Sequence, residues 1–477
     1  MAAYSQSLID LRTVYPRGYP NHKKSASGRL LGHNLPIPPF LVPTALDHLN
    51  KCKYGSLTEV VPGEADPYCA HLAREKGAII LTNDSDLVVY DLGIEGAVAF
   101  FHGISYKAEL SGHAPIKGCE NLRARLWRSR DISHRLGVDL QRLAYEIKQI
   151  PPVRLAHAIE NTKRPPLSMT DFDEFLLEYD LRAMSLPARE IPKAKSKPMF
   201  VDPRLHELLV QVLDLDVKEP HMYLPVLLSD PSRATAWQPS HLLRKTLYTL
   251  LFTAFRSQSN FPLGVLEHDP KRPSRPFLIP ILEDLSNELK KLTSSLSTHV
   301  SFEHLALETC LSSWETVPTL SEVFPTNFRS WQHIQLLAQV HGFLYCLRLL
   351  GQVLRLITPM DPAHTVPPSG ARTDVTVLHH EDLGSLDIKL GFLPDLTDLL
   401  PRSIRQEDYS KITTEIHDRD QSQHKREASE SPTCPDVQVF AQVHNKNHKR
   451  KAFKPTRAGT DGNMVTSGYF GILATQE

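Results

Sequence analysis

Between residues 58 and 101 the chain alternates short apolar runs with a helical pattern. Thr58 to Val61 and Ala78 to Leu81 are brief, β-branched or apolar, and bounded by Pro-Gly or polar residues. Strands buried on both faces of a parallel sheet have this texture. Glu64 to Lys76, between them, carries Cys69, Leu72 and Ala73 at helical spacing, and Ala97 to Phe101 reads as a third strand. The pattern predicts strand, helix, strand. Upstream, Phe40 to Lys51 sets Leu41, Ala45, Leu46 and Leu49 on one helical face, with Pro43 tolerable in the first turn.

Downstream the period is helical. Asn121 to Lys148 reads as a pair of amphipathic helices whose apolar side is Leu136, Val138, Leu140, Leu143 and Ile147. Thr170-Asp171-Phe172-Asp173-Glu174 opens a further helix, with Thr170 as its cap and acids in its first turn. Pro187 to Pro198 is a basic, proline-containing linker, and Leu205 to Leu215, His241 to Phe255 and Trp331 to Ile357 follow as long helices. In the last, Leu336, Val340, Phe343, Leu347, Leu350, Leu354 and Ile357 recur every three or four residues, a stripe that faces a core or a partner. The two ends lack such periods. Residues 1–39, rich in Pro, Gly, Ser and Lys, read as a flexible arm, and residues 401–477 as a disordered tail.

Composition narrows this. A chain of 477 residues has room for two or three domains, and 41% hydrophobic with 23% charged content is that of a soluble globular protein. The net charge is zero, so contact with nucleic acid needs a local basic patch. Cys52, Cys69, Cys119, Cys310, Cys346 and Cys434 show no C-x-x-C spacing, which argues against a zinc site or disulfide framework and suits a reducing compartment. No signal-peptide pattern opens the chain. The apolar helix ending at Ile357 contains His341, Arg348 and Arg355, so it reads as a buried helix rather than a membrane span.

The candidate chemistry lies in two acid pairs, Glu64 with Asp66 and Asp84 with Asp86, each just after a predicted strand. Alone, each has an ordinary account: the helix dipole favours acids at Glu64 and Asp66, and Asn-Asp-Ser-Asp suits a turn. Together, at neighbouring strand ends, four carboxylates would repel one another without a cation between them. Mg²⁺ or Mn²⁺, hard ions that take oxygen ligands, are the natural occupants, and metal-assisted phosphodiester cleavage is the chemistry implied. The stretch from Asn121 to Lys148 sets Arg123, Arg125, Arg128, Arg130, Arg135, Arg142 and Lys148 against Asp131, Asp139 and Glu146, a net charge of +4. It serves either to grip a phosphate backbone or as the polar face of its helices.

GEAD-x-x-CA at Gly63 to Ala70, followed by LTNDSDLVVYDLG at Leu81 to Gly93, resembles the internal acidic motif of the XPG and flap endonuclease family, a branch of the PIN-like fold. Phe200 to Arg204, Tyr223-Leu224-Pro225 running to Asp230-Pro231 and Trp237, and Tyr345 to Arg348 with Leu350 resemble its Asteroid-type branch. The resemblance implies that Glu64, Asp66, Asp84 and Asp86 are metal-binding, catalytic carboxylates. It implies an α/β fold: a partial PIN-like parallel sheet with helices over 40–160, a mostly helical region over 161–400, then the tail. It further implies a structure-selective nuclease acting on DNA in preference to RNA. Members usually open Met-Gly and supply two further aspartates before this motif. This chain opens Met-Ala-Ala-Tyr and offers only Asp10 and Asp47, both in helix-like contexts, before Glu59. The first part of the nuclease domain is therefore expected to be missing, which raises the alternative of an inactive nuclease-fold scaffold that binds protein or nucleic acid through its helical region.

Two decoys carry less. His206-Glu207 begins like a zinc-protease motif, but Val210 stands where the second histidine is needed, and His379-His380-Glu381-Asp382 has no companion cluster. Neither G-x-S-x-G nor G-x-x-x-x-G-K occurs. Lys446 to Lys454 reads as a nuclear import signal or a weak nucleic-acid contact, favouring a nuclear over a cytoplasmic location.

Overall fold

The computed structural model describes residues 12–13, 16–20, 39–61, 63–107, 121–149, 154–181, 201–256, 261–271, 276–299, 301–326, 328–357, 380–391 and 404–429. In chain order its elements begin β1 (Gly18–Pro20), α1 (Leu41–Lys51), α2 (Asp66–Lys76), β2 (Ile79–Thr82), β3 (Ala97–Lys107) and β4 (Asn121–Trp127). Then come α3 (Ser129–Leu136), α4 (Leu140–Gln149), α5 (Leu155–Thr162), α6 (Met169–Leu177), α7 (Pro203–Leu213), β5 (His221–Tyr223) and α8 (His241–Phe255). The remainder is β6 (Gly264–His268), β7 (Phe277–Pro280), α9 (Leu285–Thr298), α10 (Phe302–Ser312), α11 (Leu320–Val323), β8 (Phe328–Ser330), α12 (Trp331–Ile357), α13 (His380–Gly391) and α14 (Gln406–Ser429). Two compact units result, one from Met1–Glu59 with Ala194–Met464, the other from Val60–Lys193 with Val465–Glu477.

In the Val60–Lys193 unit, β2 runs parallel to β3 with Ile79 opposite Ala97, and β4 returns antiparallel on the far side of β3. Ala97, Val98, Ala99 and Phe100 are buried on the central strand. Ala70 and Ala73 of α2 pack into the same core as Leu87 to Tyr90, Tyr145 and Phe175. Gly77 ends α2 at φ +62, a left-handed cap that glycine adopts without a steric penalty.

Several expectations are corrected here. Thr58 to Val61 forms no strand; no neighbouring strand offers it hydrogen bonds among the described residues. Nor is β2 buried on both faces: Ile79 is 55% and Leu81 51% exposed, and among the described residues β2 pairs with β3 alone. The sheet is mixed rather than parallel. Asn121 to Trp127 is a strand, not the start of a helix, because Leu-Arg-Ala-Arg-Leu alternates with period two. Ser168, not Thr170, caps α6, accepting from the Asp171 N–H at 3.2 Å.

The larger unit is built on α12, whose stripe is buried along most of its length and is therefore core. Among the described residues it is the one helix long and apolar enough to cross a membrane by length and composition, yet most of it is enclosed by protein. A second mixed sheet sets β5 parallel and β7 antiparallel to β6. Arg244 grips Glu267 of β6 with two hydrogen bonds of 2.5 and 3.0 Å, and the Tyr248 hydroxyl donates to the same carboxylate at 2.6 Å. A buried charge persists in an apolar interior only with such partners.

The sequence blocks around residues 200, 230 and 345 are structural in this unit. Asp202 caps α7 by accepting from the Arg204 N–H at 3.1 Å and pairs with Arg348 of α12, which also donates to Asp47 of α1 at 2.6 Å. Asp47 is thus an ion-pair partner on a helix, while Asp10 lies outside the described residues. Trp237 Nε1 donates to the Pro225 carbonyl at 3.2 Å, and Gly342 leaves room for the indole to lie against α12.

The ends also differ from expectation. Gly18–Pro20 pairs antiparallel with Phe328–Ser330 rather than lying in a structureless arm. Gln406–Ser429 is helical, with Tyr409 and Ile412 buried where a disordered tail was expected. Polar contacts help to dock this largely polar helix: the Tyr409 hydroxyl donates to the Pro318 carbonyl and Arg419 pairs with Glu308 of α10. Lys446 to Lys454 and His379 lie outside the described residues.

Candidate active site

Glu64 and Asp66 stand at the start of α2, where Asp66 and Pro67 form the first turn after an uncapped Ala65. A helix N-terminus ordinarily favours an ionised acid. Asp66 nevertheless has its carboxyl pushed up to about 6, first by burial and then by Asp84, Glu64 and Asp86. Burial and like charge outweigh the dipole. All three other acids act on Asp66, whereas of these acids only Asp84 figures among the influences on Asp86.

The second pair is held by its turn. Beyond β2, the Asn83 Oδ1 accepts from the Phe101 N–H at 3.1 Å, tying the loop to β3. The Asp84 N–H donates to Thr82 Oγ1 at 2.9 Å, and the Asp86 N–H donates to Asp84 Oδ1 at 3.0 Å. These bonds place Asp84 in solvent and Asp86, half-buried, at the head of the short 3-10 turn Asp86–Val88. Asp86 is likewise pushed up to about 6, by burial first, then by Asp84 and Glu178, against the lowering effect of Lys148. Its Oδ1 is buried and has no hydrogen-bond partner among the described residues.

Four further side chains complete the surroundings. Lys148 of α4 pairs with Glu178, just past α6, at 3.0 Å, which sets an ion pair beside Asp86. Tyr90 and Tyr179 pack as tilted rings with centroids 4.9 Å apart. Burial raises both phenols, with Asp66 the next largest influence on Tyr90 and Asp86 on Tyr179. Lys148 is legible in the sequence only as part of the basic run. Tyr90 lies within the acidic motif, whereas Glu178 and Tyr179, adjacent in sequence just past α6, carry no sequence signal.

The basic stretch divides. Arg123 and Arg125 lie exposed on β4, Arg125 over the Trp127 ring at 5.8 Å; half-buried Arg128 precedes α3 and exposed Arg130 lies in its first turn. Arg142 is withdrawn from this surface. It is buried, paired with Glu146, and donates to the Arg164 carbonyl at 3.0 Å.

Does a divalent ion fit these residues? The donor set is all oxygen, as Mg²⁺ or Mn²⁺ requires, and an orphaned carboxylate oxygen at Asp86 is what a cation would satisfy. The set suits a hard ion, although no three His, Cys, Asp or Glu side chains among the described residues already form a metal-holding group.

Residues 37–273 match the family model described as XPG domain containing. The match supports an XPG/PIN-like family. It takes in all four acids, the four arginines and the Asp202 and Asp230 blocks, while Tyr345 to Arg348 lies beyond it. An XPG-like family suggests nuclease-like function and nucleic-acid binding. No curated protein and no solved structure matches the chain.

Proposed function

We propose that this chain is a divalent-cation-dependent, structure-selective nuclease of Asteroid type, with its acid site in the Val60–Lys193 unit, acting on phosphodiester bonds of DNA in preference to RNA. The observation that carries this is Asp86, whose carboxylate oxygen is buried without a donor among the described residues, together with the raised carboxyl of Asp66, on which the other three acids act. Glu64, Asp66, Asp84 and Asp86 would hold Mg²⁺ or Mn²⁺. When bound, such an ion activates water and neutralises charge developing on the leaving oxygen.

The chain's own residues do the rest. Asn83 and Thr82 fix the loop that presents Asp84 and Asp86. Tyr90 and Tyr179 form an apolar wall that limits water around Asp66 and Asp86. Glu178 holds Lys148 beside Asp86, where its ammonium offsets part of the acid charge an incoming phosphate would meet. Arg123, Arg125, Arg128 and Arg130 steer the substrate backbone through clustered positive charge. Lys446 to Lys454 would direct the protein to the nucleus.

Cleavage of flap, bubble and single-stranded DNA by the full chain, with Mg²⁺, Mn²⁺ or EDTA, tests the reading. Asp84→Ala and Asp86→Ala should each reduce cleavage by about 100-fold; activity that survives both rejects it. One observation favours a second reading, a non-catalytic nuclease-fold scaffold: the described acids do not already converge as a ligand set. That reading expects nucleic-acid affinity indifferent to EDTA and no cleavage with either ion.

A further inference from the structure

The larger unit contains a cavity of about 570 Å³, within the size range of small-ligand sites. Its wall brings together three guanidinium groups, from Arg12, Arg17 and Arg233, with two acids, Asp230 and Glu322. Both acids already have partners, Asp230 within the wall itself and Glu322 on Thr319. Buried Asp230 accepts from the Ser232 N–H and hydroxyl, each at 2.9 Å, pairs with Arg12, and lies 3.9 Å from Arg233 Nε. Glu322 accepts from the Thr319 N–H at 2.7 Å and its hydroxyl at 2.9 Å.

One buried carboxylate thus lies between two guanidiniums, and Arg17 is exposed with no partner among the described residues. The two paired guanidiniums are also held by rings, Arg12 over Trp331 at 5.7 Å and Arg233 over Trp314 at 4.1 Å. A planar guanidinium fixed in this way loses little freedom when it binds an oxyanion. The wall also contains the first turn of α12, a helix of 27 residues whose N-terminal end carries partial positive charge.

Guanidinium forks, hydroxyls and a long helix N-terminus, with a net lining charge of +1, suit a tetrahedral anion. We infer that this cavity binds the phosphate group of a small phosphorylated ligand, either a nucleoside monophosphate or inorganic phosphate itself. The inference does not rest on the nuclease reading, because none of these residues belongs to the acid site.

Titration calorimetry of the full chain, with EDTA present so that no cation bridges phosphate to the acid site, decides it. The probes are inorganic phosphate and adenosine monophosphate, each against wild type, Arg17→Ala and Arg233→Ala. Saturable binding, weakened about tenfold or more in each variant, is expected. Tighter binding of adenosine monophosphate assigns the site to a nucleotide, and equal binding to phosphate alone. Arg17→Ala removes an exposed side chain that has no partner among the described residues, so its thermal melt should match wild type and its effect reads the site alone. Absence of saturable binding for both probes, or binding unchanged in Arg17→Ala, overturns the inference.

Discussion

Arg348 and Asp202, 146 residues apart in sequence, form a buried ion pair at 3.2 Å. The same guanidinium reaches Asp47 at 2.6 Å, and the Asp202 N–H donates to Gln352 Oε1 at 3.0 Å. One residue of α12 therefore fastens α1 and the cap of α7 to the core helix. Removing one partner leaves buried charge without compensation. Arg348→Ala should lower unfolding free energy by about 3–5 kcal/mol, read from the urea midpoint at constant slope. A loss below about 1 kcal/mol would show that solvent reaches both carboxylates.

The raised carboxyls at Asp66 and Asp86 set a pH dependence with a definite sign. Each has an ordinary value of 3.8 and a folded value of about 6, so the folded state retains protons that the unfolded chain has released. Their contribution to stability is complete below 3.8 and is lost as pH rises through about 6. Without divalent ion, the contribution of these two groups to the melting temperature should fall between pH 5 and 7.5. Mg²⁺ should restore it at pH 7.5 and do little at pH 5, where protons compete. Circular dichroism melts of wild type and the Asp66→Asn, Asp86→Asn double variant check this; the double variant should lose both responses.

Asn83 tests whether the loop is prearranged. Its side chain ties the Asp84 and Asp86 turn to the Phe101 N–H. Asn83→Ala keeps every carboxylate but loosens their placement. Mg²⁺ affinity should fall by about tenfold to 100-fold, as for other residues that orient metal ligands, with the larger share of stability retained. Calorimetric Mg²⁺ titration beside a thermal melt separates the two effects.

Gly264 of β6 is fixed by packing. A Cβ there would stand 2.1 Å from the Ile279 carbonyl oxygen on the neighbouring strand. Gly264→Ala should force β6 and β7 apart and cost about 1–3 kcal/mol or more. Unchanged denaturation midpoints would mean that the β6–β7 register is not essential to that sheet.

Legibility of the sequence followed the length and strength of its periods. His241–Phe255 and Trp331–Ile357 are the helices their apolar spacing predicts, residue for residue. Asn121–Trp127 was hidden because seven residues of period two adjoin a longer helical pattern, and its arginines made it look like a solvated helix face. At the site, the acid pairs stand out because carboxylates recur after short apolar runs. Lys148 and Glu178 come together over 30 residues of sequence, and Tyr90 meets Tyr179 ring against ring. No spacing rule encodes such meetings, which follow from how α4 and α6 pack.

The pairing of Gly18–Pro20 with Phe328–Ser330 has a consequence for synthesis on the ribosome. The first strand emerges long before its partner: at about 5–20 residues per second, on the order of 15–60 s separates them. Val60–Lys193 has all of its described contacts available during that interval and can fold while the chain is still growing. The unit that surrounds it in sequence must wait for α12. A stalled or prematurely terminated chain would therefore carry a folded insert between unpaired flanks, a species that chaperones would meet before the finished protein exists.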